Sequence, residues 1–202
     1  MPKLVRQHWE ANLGAFGGRR ARQGFHYHAY VPDLIEALDI SLPGDIALIA
    51  TEAEREVREL NLFPPAIGSL ETLARQLLRA ESVASSRIEG LELSHRRLAR
   101  AAFGSSSDLT AKSVLANMKA MEQAVLVASA TRAIEVKDLL ALHRTLLGGG
   151  DIRTGQNWIG GAASSPRDAE FVPPPPEEVP PLLEDLCRFL ARDDLPAVVQ
   201  AA

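Results

Sequence analysis

The stretch Ser85-Ser-Arg-Ile-Glu89-Gly90 places a hydroxyl and a carboxylate four residues apart, with a glycine directly after the acid. On a helix, residues four apart lie on one face. A carboxylate held this way can be aimed at a cationic partner while Ser85 shares its face. The plainer reading of the same letters is a helix end closed by a glycine. Other chemistry is sparse. The five histidines, at 8, 26, 28, 95 and 143, show no metal-ligand spacing with a second cluster, and His26-x-His28 alone makes no expected metal site. His143 falls on an apolar helix face and reads as a core residue. There is no Walker A loop, no dinucleotide glycine fingerprint, no nucleophile elbow and no Ser/His/Asp set. From these motifs alone no catalytic residue is named.

The elements that must position the pair follow from periodicity. Leu70, Leu73, Ala74, Leu77, Leu78 and Val83 recur close to every 3.6 residues, which predicts a helix starting near Ser69 and ending at Gly90. Residues 1 to about 44 read as irregular, with glycines at 14, 17, 18 and 24 and an aromatic patch from Phe25 to Tyr30. Arg19, Arg20 and Arg22 read as a solvated loop. Asp45 to Leu60 is helical, with Thr51 either at a capping box or inside one continuous helix. Leu91 to Phe103 predicts a short helix, and Gly104 to Asp108 a linker. Helices are expected over 108–130, on a stripe from Val114 to Leu126, and over 136–147, stopped by Gly148-Gly-Gly150.

After this the pattern changes. Gln156-Asn-Trp-Ile159 and Glu170-Phe-Val172 predict a small β-hairpin around Gly160-Gly161. Pro173 to Pro176 form a stiff lead-in to a helix from about Glu177, whose first turn tolerates Pro180 and Pro181. The predicted class is therefore all-α with one small hairpin. Two regions are expected: 1–104, carrying the Ser85/Glu89 helix, and 105–202.

Composition sets the frame. The 202 residues are 46% hydrophobic and 24% charged, which suits a globular protein with a buried core built mainly from Leu, Val, Ile and Ala. A net charge of −4 argues against a general nucleic-acid binder, so no direct nucleic-acid contact is expected. The one cysteine, Cys187, excludes an internal disulfide and reads as a small hydrophobe on a helix. No apolar run reaches the ~20 residues a bilayer needs, and the N-terminus lacks the apolar core of a secretion signal. No membrane association is expected, and the cytoplasm is the expected compartment.

Two stretches then converge. Arg79-Ala-Glu-Ser-Val-Ala-Ser-Ser-Arg-Ile-Glu-Gly90 resembles the N-terminal region of Fic (filamentation induced by cAMP) proteins. Arg153-Thr-Gly-Gln-Asn-Trp-Ile-Gly-Gly161, followed by Ala169-Glu-Phe-Val-Pro-Pro-Pro-Pro176, resembles the hairpin region of the Fic domain. The resemblance covers roughly residues 25 to 202. It implies a parent protein that transfers AMP from ATP, with Mg2+, to a hydroxyl of a protein substrate. Ser85, Glu89 and Gly90 match the family's inhibitory motif, (S/T)-x-x-x-E-(G/N). In the family that glutamate occupies the arginine which otherwise holds the ATP γ-phosphate, because a carboxylate and a phosphate compete for one guanidinium. The hairpin corresponds to the family's flap, where a target segment docks as an added strand. Asn157, Trp158, Ile159, Gly160, Phe171 and Val172 are its expected docking residues, with Trp158 either a core anchor or a rim contact.

The family's catalytic signature, H-x-F-x-(D/E)-G-N-G-R-x-x-R, does not occur in this sequence. It would supply the general base, the metal carboxylate and the arginines, so ATP and Mg2+ are expected to bind poorly here. Leu195 to Ala202 continues an apolar helical pattern, which suggests a piece of a longer protein, cut by engineering, proteolysis or frameshift. Exposed apolar surface at such an edge would favour self-association. The reading that follows is the regulatory and target-docking portion of a Fic adenylyltransferase. The alternative is an antitoxin-like binding module inserting Glu89 into another Fic protein, and a third is a helical scaffold of Fic ancestry.

Overall fold

The computed structural model describes residues 1–12, 14, 18–64, 70–88, 90, 94–104, 108–130, 132–161 and 164–201. In chain order the elements are strand β1 (Lys3–Trp9), the one-turn helix α1 (Arg19–Arg22), strand β2 (Phe25–Val31), and helices α2 (Gly44–Leu62), α3 (Leu70–Ile88), α4 (His95–Ala102), α5 (Leu109–Ala128) and α6 (Val136–Leu147). A 3-10 turn (Pro176–Glu178) leads into α7 (Val179–Leu190), and α8 (Ala197–Gln200) follows. Among the described residues no helix is long and apolar enough to cross a membrane. The chain forms two compact units, residues 1–38 with 152–188, and residues 39–151 with 189–202.

Among the described residues the fold is mostly helical with one two-stranded sheet, the class expected, but the regular sheet lies where irregular chain was expected. In the first unit β1 and β2 pair antiparallel from Lys3↔Val31 through Trp9↔Phe25. On β2 the alternation is strict: Phe25, Tyr27, Ala29 and Val31 turn inward, while His26, His28 and Tyr30 are exposed. That period of two, carried by aromatic and β-branched residues, is what a half-buried strand requires. Gly14, Gly18 and Gly24 lie in the connection between the two strands. Arg19 to Arg22 form a helical turn there, and Arg20 pairs with Asp168 at 3.1 Å.

Further along this unit, the Asp185 carboxylate on α7 is buried and accepts the amides of Ile35 (2.7 Å) and Glu36 (3.2 Å). Arg188 pairs with Glu36 beside it. A buried carboxylate needs such donors, since an unpaired one is costly.

The second unit is a set of packed helices. Val83, Leu98, Ala111 and Val114 form its core, with Ala101, Leu115 and Met118 against them, so α3 and α4 both rest on α5. Ser94 caps α4 by accepting the Arg97 amide, and Asp108 caps α5 by accepting the Ala111 amide at 3.2 Å. Arg97 also reaches the Asp108 carboxylate, at 2.6 Å, so one acid joins two helix starts. The Ala111 amide first, and Arg97 second, hold the Asp108 carboxyl below its ordinary range.

At the start of α6, Asp138 accepts a two-pronged bond from Arg132 (2.7 and 2.6 Å) and the Glu135 amide at 2.9 Å. The Arg132 bond is the main cause that keeps its carboxyl far below the usual range. Thr51 lies inside α2, where its hydroxyl donates to the Ala47 carbonyl, so that segment is one continuous helix. Ala50 is the buried residue on this helix; Ile46, Leu48, Ile49, Val57 and Leu60 stand exposed.

Candidate functional site

The end of α3 carries the first candidate. Its packed face is made by Leu78, Ser82, Val83 and Ser86, while Leu73 and Leu77, expected in the apolar stripe, are exposed. In the second half of this helix Val83 joins the core with Val114 of α5, and Ser82 and Ser86 are buried beside it. Ser82 donates to the Leu78 carbonyl (2.9 Å) and touches the Met121 sulfur at 3.0 Å. Ser86 donates to the Ser82 carbonyl at 2.7 Å. Each hydroxyl is satisfied within its own helix, so neither leaves an unpaired polar group in the core.

Ser85 is half-buried beside these two. The last helical residue is Ile88, which is exposed, and the Gly90 amide donates back to the Arg87 carbonyl at 2.9 Å. Gly90 has φ of +78°, the left-handed conformation that favours glycine at a helix stop. Glu89 lies outside the described residues, as does Ser69, the expected N-cap. Of the predicted trio, then, the structure places Ser85 and Gly90 at the terminus of one helix.

The second candidate is the segment 157–172. Among the described residues it is narrower than a full hairpin: Ile159 and Phe171 form its single bridge. The Ile159 amide donates to the Phe171 carbonyl at 2.8 Å, and the Ile159 carbonyl accepts from Glu170 (2.9 Å) and Phe171 (3.2 Å). Gly160 and Gly161 turn the chain with φ of +76° and +69°. A Cβ on Gly161 would come within 2.8 Å of the Arg167 and Asp168 main chain, so this position admits no side chain without moving the loop.

Much of the order in this segment comes from the N-terminal strands, which the sequence reading missed. The Tyr30 amide donates to the Val172 carbonyl at 2.9 Å, aligning residues 171–172 along the free side of β2. Trp158 meets Trp9 edge to face, with ring centres 5.4 Å apart, and is half-buried. The Arg167 guanidinium lies 3.9 Å from the centre of the Phe25 ring and donates to the Gln23 carbonyl. Arg153 and Gln156 bond the Pro174 and Pro173 carbonyls, fixing the lead-in to the 3-10 turn.

The six expected docking residues therefore divide. Val172 is buried and Trp158 packs half-buried on Trp9; Gly160 shapes the turn; Asn157, Ile159 and Phe171 are exposed. The signal that could have found the missing brace was the alternation over 25–31, where inward aromatics carry the contacts.

Among the described residues no cluster of three or more His, Cys, Asp or Glu side chains is placed to hold a metal ion.

Residues 48–126 match the Fic/DOC family N-terminal region. That span contains α3, α4 and most of α2 and α5, and with them Ser85, Glu89 and Gly90. No curated protein matches the chain.

Proposed function

Taking residues 48–126 as a Fic/DOC family N-terminal region, we propose that this chain is the regulatory and target-docking portion of a Fic protein adenylyltransferase. The carrying observation is that Ser85 and Gly90, the ends of the (S/T)-x-x-x-E-(G/N) motif, sit at the terminus of a well-packed helix inside the matched region. A helix end pinned by buried serines is a firm base from which to present Glu89.

In this reading Glu89 pairs with an arginine of the catalytic signature in the parent protein. ATP then loses a γ-phosphate contact, and its α-phosphorus is presented badly to the acceptor hydroxyl. Transfer at phosphorus depends on positioning, so misorientation is enough to inhibit. The flap around Ile159 and Phe171 receives the protein substrate. ATP and Mg2+ belong to the parent's signature, and the setting is the cytoplasm. The 202-residue chain itself transfers no AMP.

The test is AMP incorporation from labelled ATP by a parent protein carrying the signature, wild type against Glu89→Gly. The variant is expected to incorporate at least about tenfold more AMP, since one charge-assisted contact is worth ~1.5–3 kcal/mol. Equal incorporation would remove the inhibitory role.

A further inference from the structure

We infer that the outer face of the N-terminal hairpin extends the flap into one docking surface for an extended, apolar and acidic peptide segment of a protein partner. The inference rests on the flap-docking reading above and enlarges it. Leu4 and Tyr30 are register partners across β1 and β2. The Tyr30 ring lies 5.9 Å from that of Phe171, and Phe171 in turn is the bridge partner of Ile159. Paired residues share a sheet face, so these four side chains make a row across four adjoining backbone segments. All four are exposed: Leu4 by 68%, Tyr30 by 36%, Phe171 by 42% and Ile159 by 62%. Single exposed apolar side chains are ordinary, but a contiguous row is the pattern of a contact surface.

The charge beside the row selects the partner. Arg6 and His28 are the next register pair on the same face, and both are exposed. Strands β1 and β2 contain no Asp or Glu. Of the acids nearby, Glu10 lies beyond β1 against His8, Asp33 beyond β2 against the Met1 amine, and the exposed Glu170 lies over Gly160 at the flap end of the row, away from Arg6. A segment carrying Asp or Glu next to apolar residues complements this arrangement, and a basic one does not. Size agrees as well. Three strand spacings of ~4.8 Å make the row ~14 Å long, and alternate side chains i, i+2 and i+4 of an extended chain span ~13 Å.

The experiment selects binders to the full chain from a phage-displayed library of random dodecapeptides. The selected sequences are expected to alternate apolar residues and to carry Asp or Glu. For a selected peptide, measured by fluorescence anisotropy, Tyr30→Ser/Phe171→Ser should weaken binding at least about tenfold, and Arg6→Glu about three- to tenfold. Leu4→Ser and Ile159→Ser alter only exposed side chains and serve as folded counterparts, each expected to weaken binding about threefold. Absence of any enriched peptide, enrichment of basic peptides, or affinities unchanged in all four variants overturns the inference. So does a concentration-dependent dimer dissolved by Leu4→Ser, which would assign the face to a second copy. Peptide capture involves no AMP transfer, so its failure leaves the inhibitory reading standing, and the reverse holds too.

Discussion

Among the described residues, seven pairs between Lys3 and Val31 face one another along a ladder, whereas between Asn157 and Val172 a single pair, Ile159 and Phe171, does so. The first hairpin is held by main-chain bonds and by an inward face that includes fully buried Ala29. The second is held from outside itself: by the Tyr30 amide on Val172, by Trp9 on Trp158, and by Phe25 and Arg20 on the neighbouring Arg167 and Asp168. A short ladder is marginal alone. The flap therefore borrows order from the first hairpin and leaves Ile159 and Phe171 exposed.

The comparison can be broken most severely at Ala29, whose side chain is fully buried. Ala29→Asp forces an unpaired carboxylate inward, a cost of ~3–5 kcal/mol. By hydrogen exchange, the amides of both Tyr30 and Ile159 should lose protection together, although 129 residues separate them in sequence. Protection retained at Ile159 would show that the flap stands by itself.

Gly161→Val acts on the flap alone. At φ of +69°, with main-chain atoms 2.8 Å from the added Cβ, it should cost ~2–4 kcal/mol. Exchange at Phe171 should quicken while the β1–β2 amides keep their protection. Trp9→Ala is milder, at ~2 kcal/mol, because it removes one edge-to-face partner from a half-buried site. The fluorescence of Trp158, then the sole tryptophan, should shift to the red. Arg20→Ala tests the weakest link. Both members of that pair are largely exposed, so thermal stability should change by no more than ~0.5 kcal/mol.

How much of this was legible in the sequence differs by element. The helices were readable because apolar spacing and the stop at Gly148 agree over long runs. Gly90 was readable as well, since a left-handed residue at a helix end favours glycine. The first hairpin was hidden by its connection, whose glycines resemble an unstructured segment, and by β1, where Lys3, Arg6 and Gln7 dilute the apolar alternation. The buried serines of α3 were hidden for a different reason. Ser82 and Ser86 satisfy their hydroxyls on their own helix, so letters that look polar are buried, and Ser82 reaches Met121 of α5. In the flap the residue types were legible but their division was not: which of Trp158, Ile159, Phe171 and Val172 anchors and which faces out depends on β2, more than a hundred residues earlier in the chain.

The central claim is that Glu89 stands in for a phosphate, and the most direct measurement is the preference of the parent protein for ATP over ADP, by calorimetry, in the wild type and in Glu89→Gly. The account predicts that the variant favours ATP over ADP by about tenfold or more beyond the wild type, because the freed arginine gains the γ-phosphate. An ATP-to-ADP ratio identical in the two proteins would contradict it.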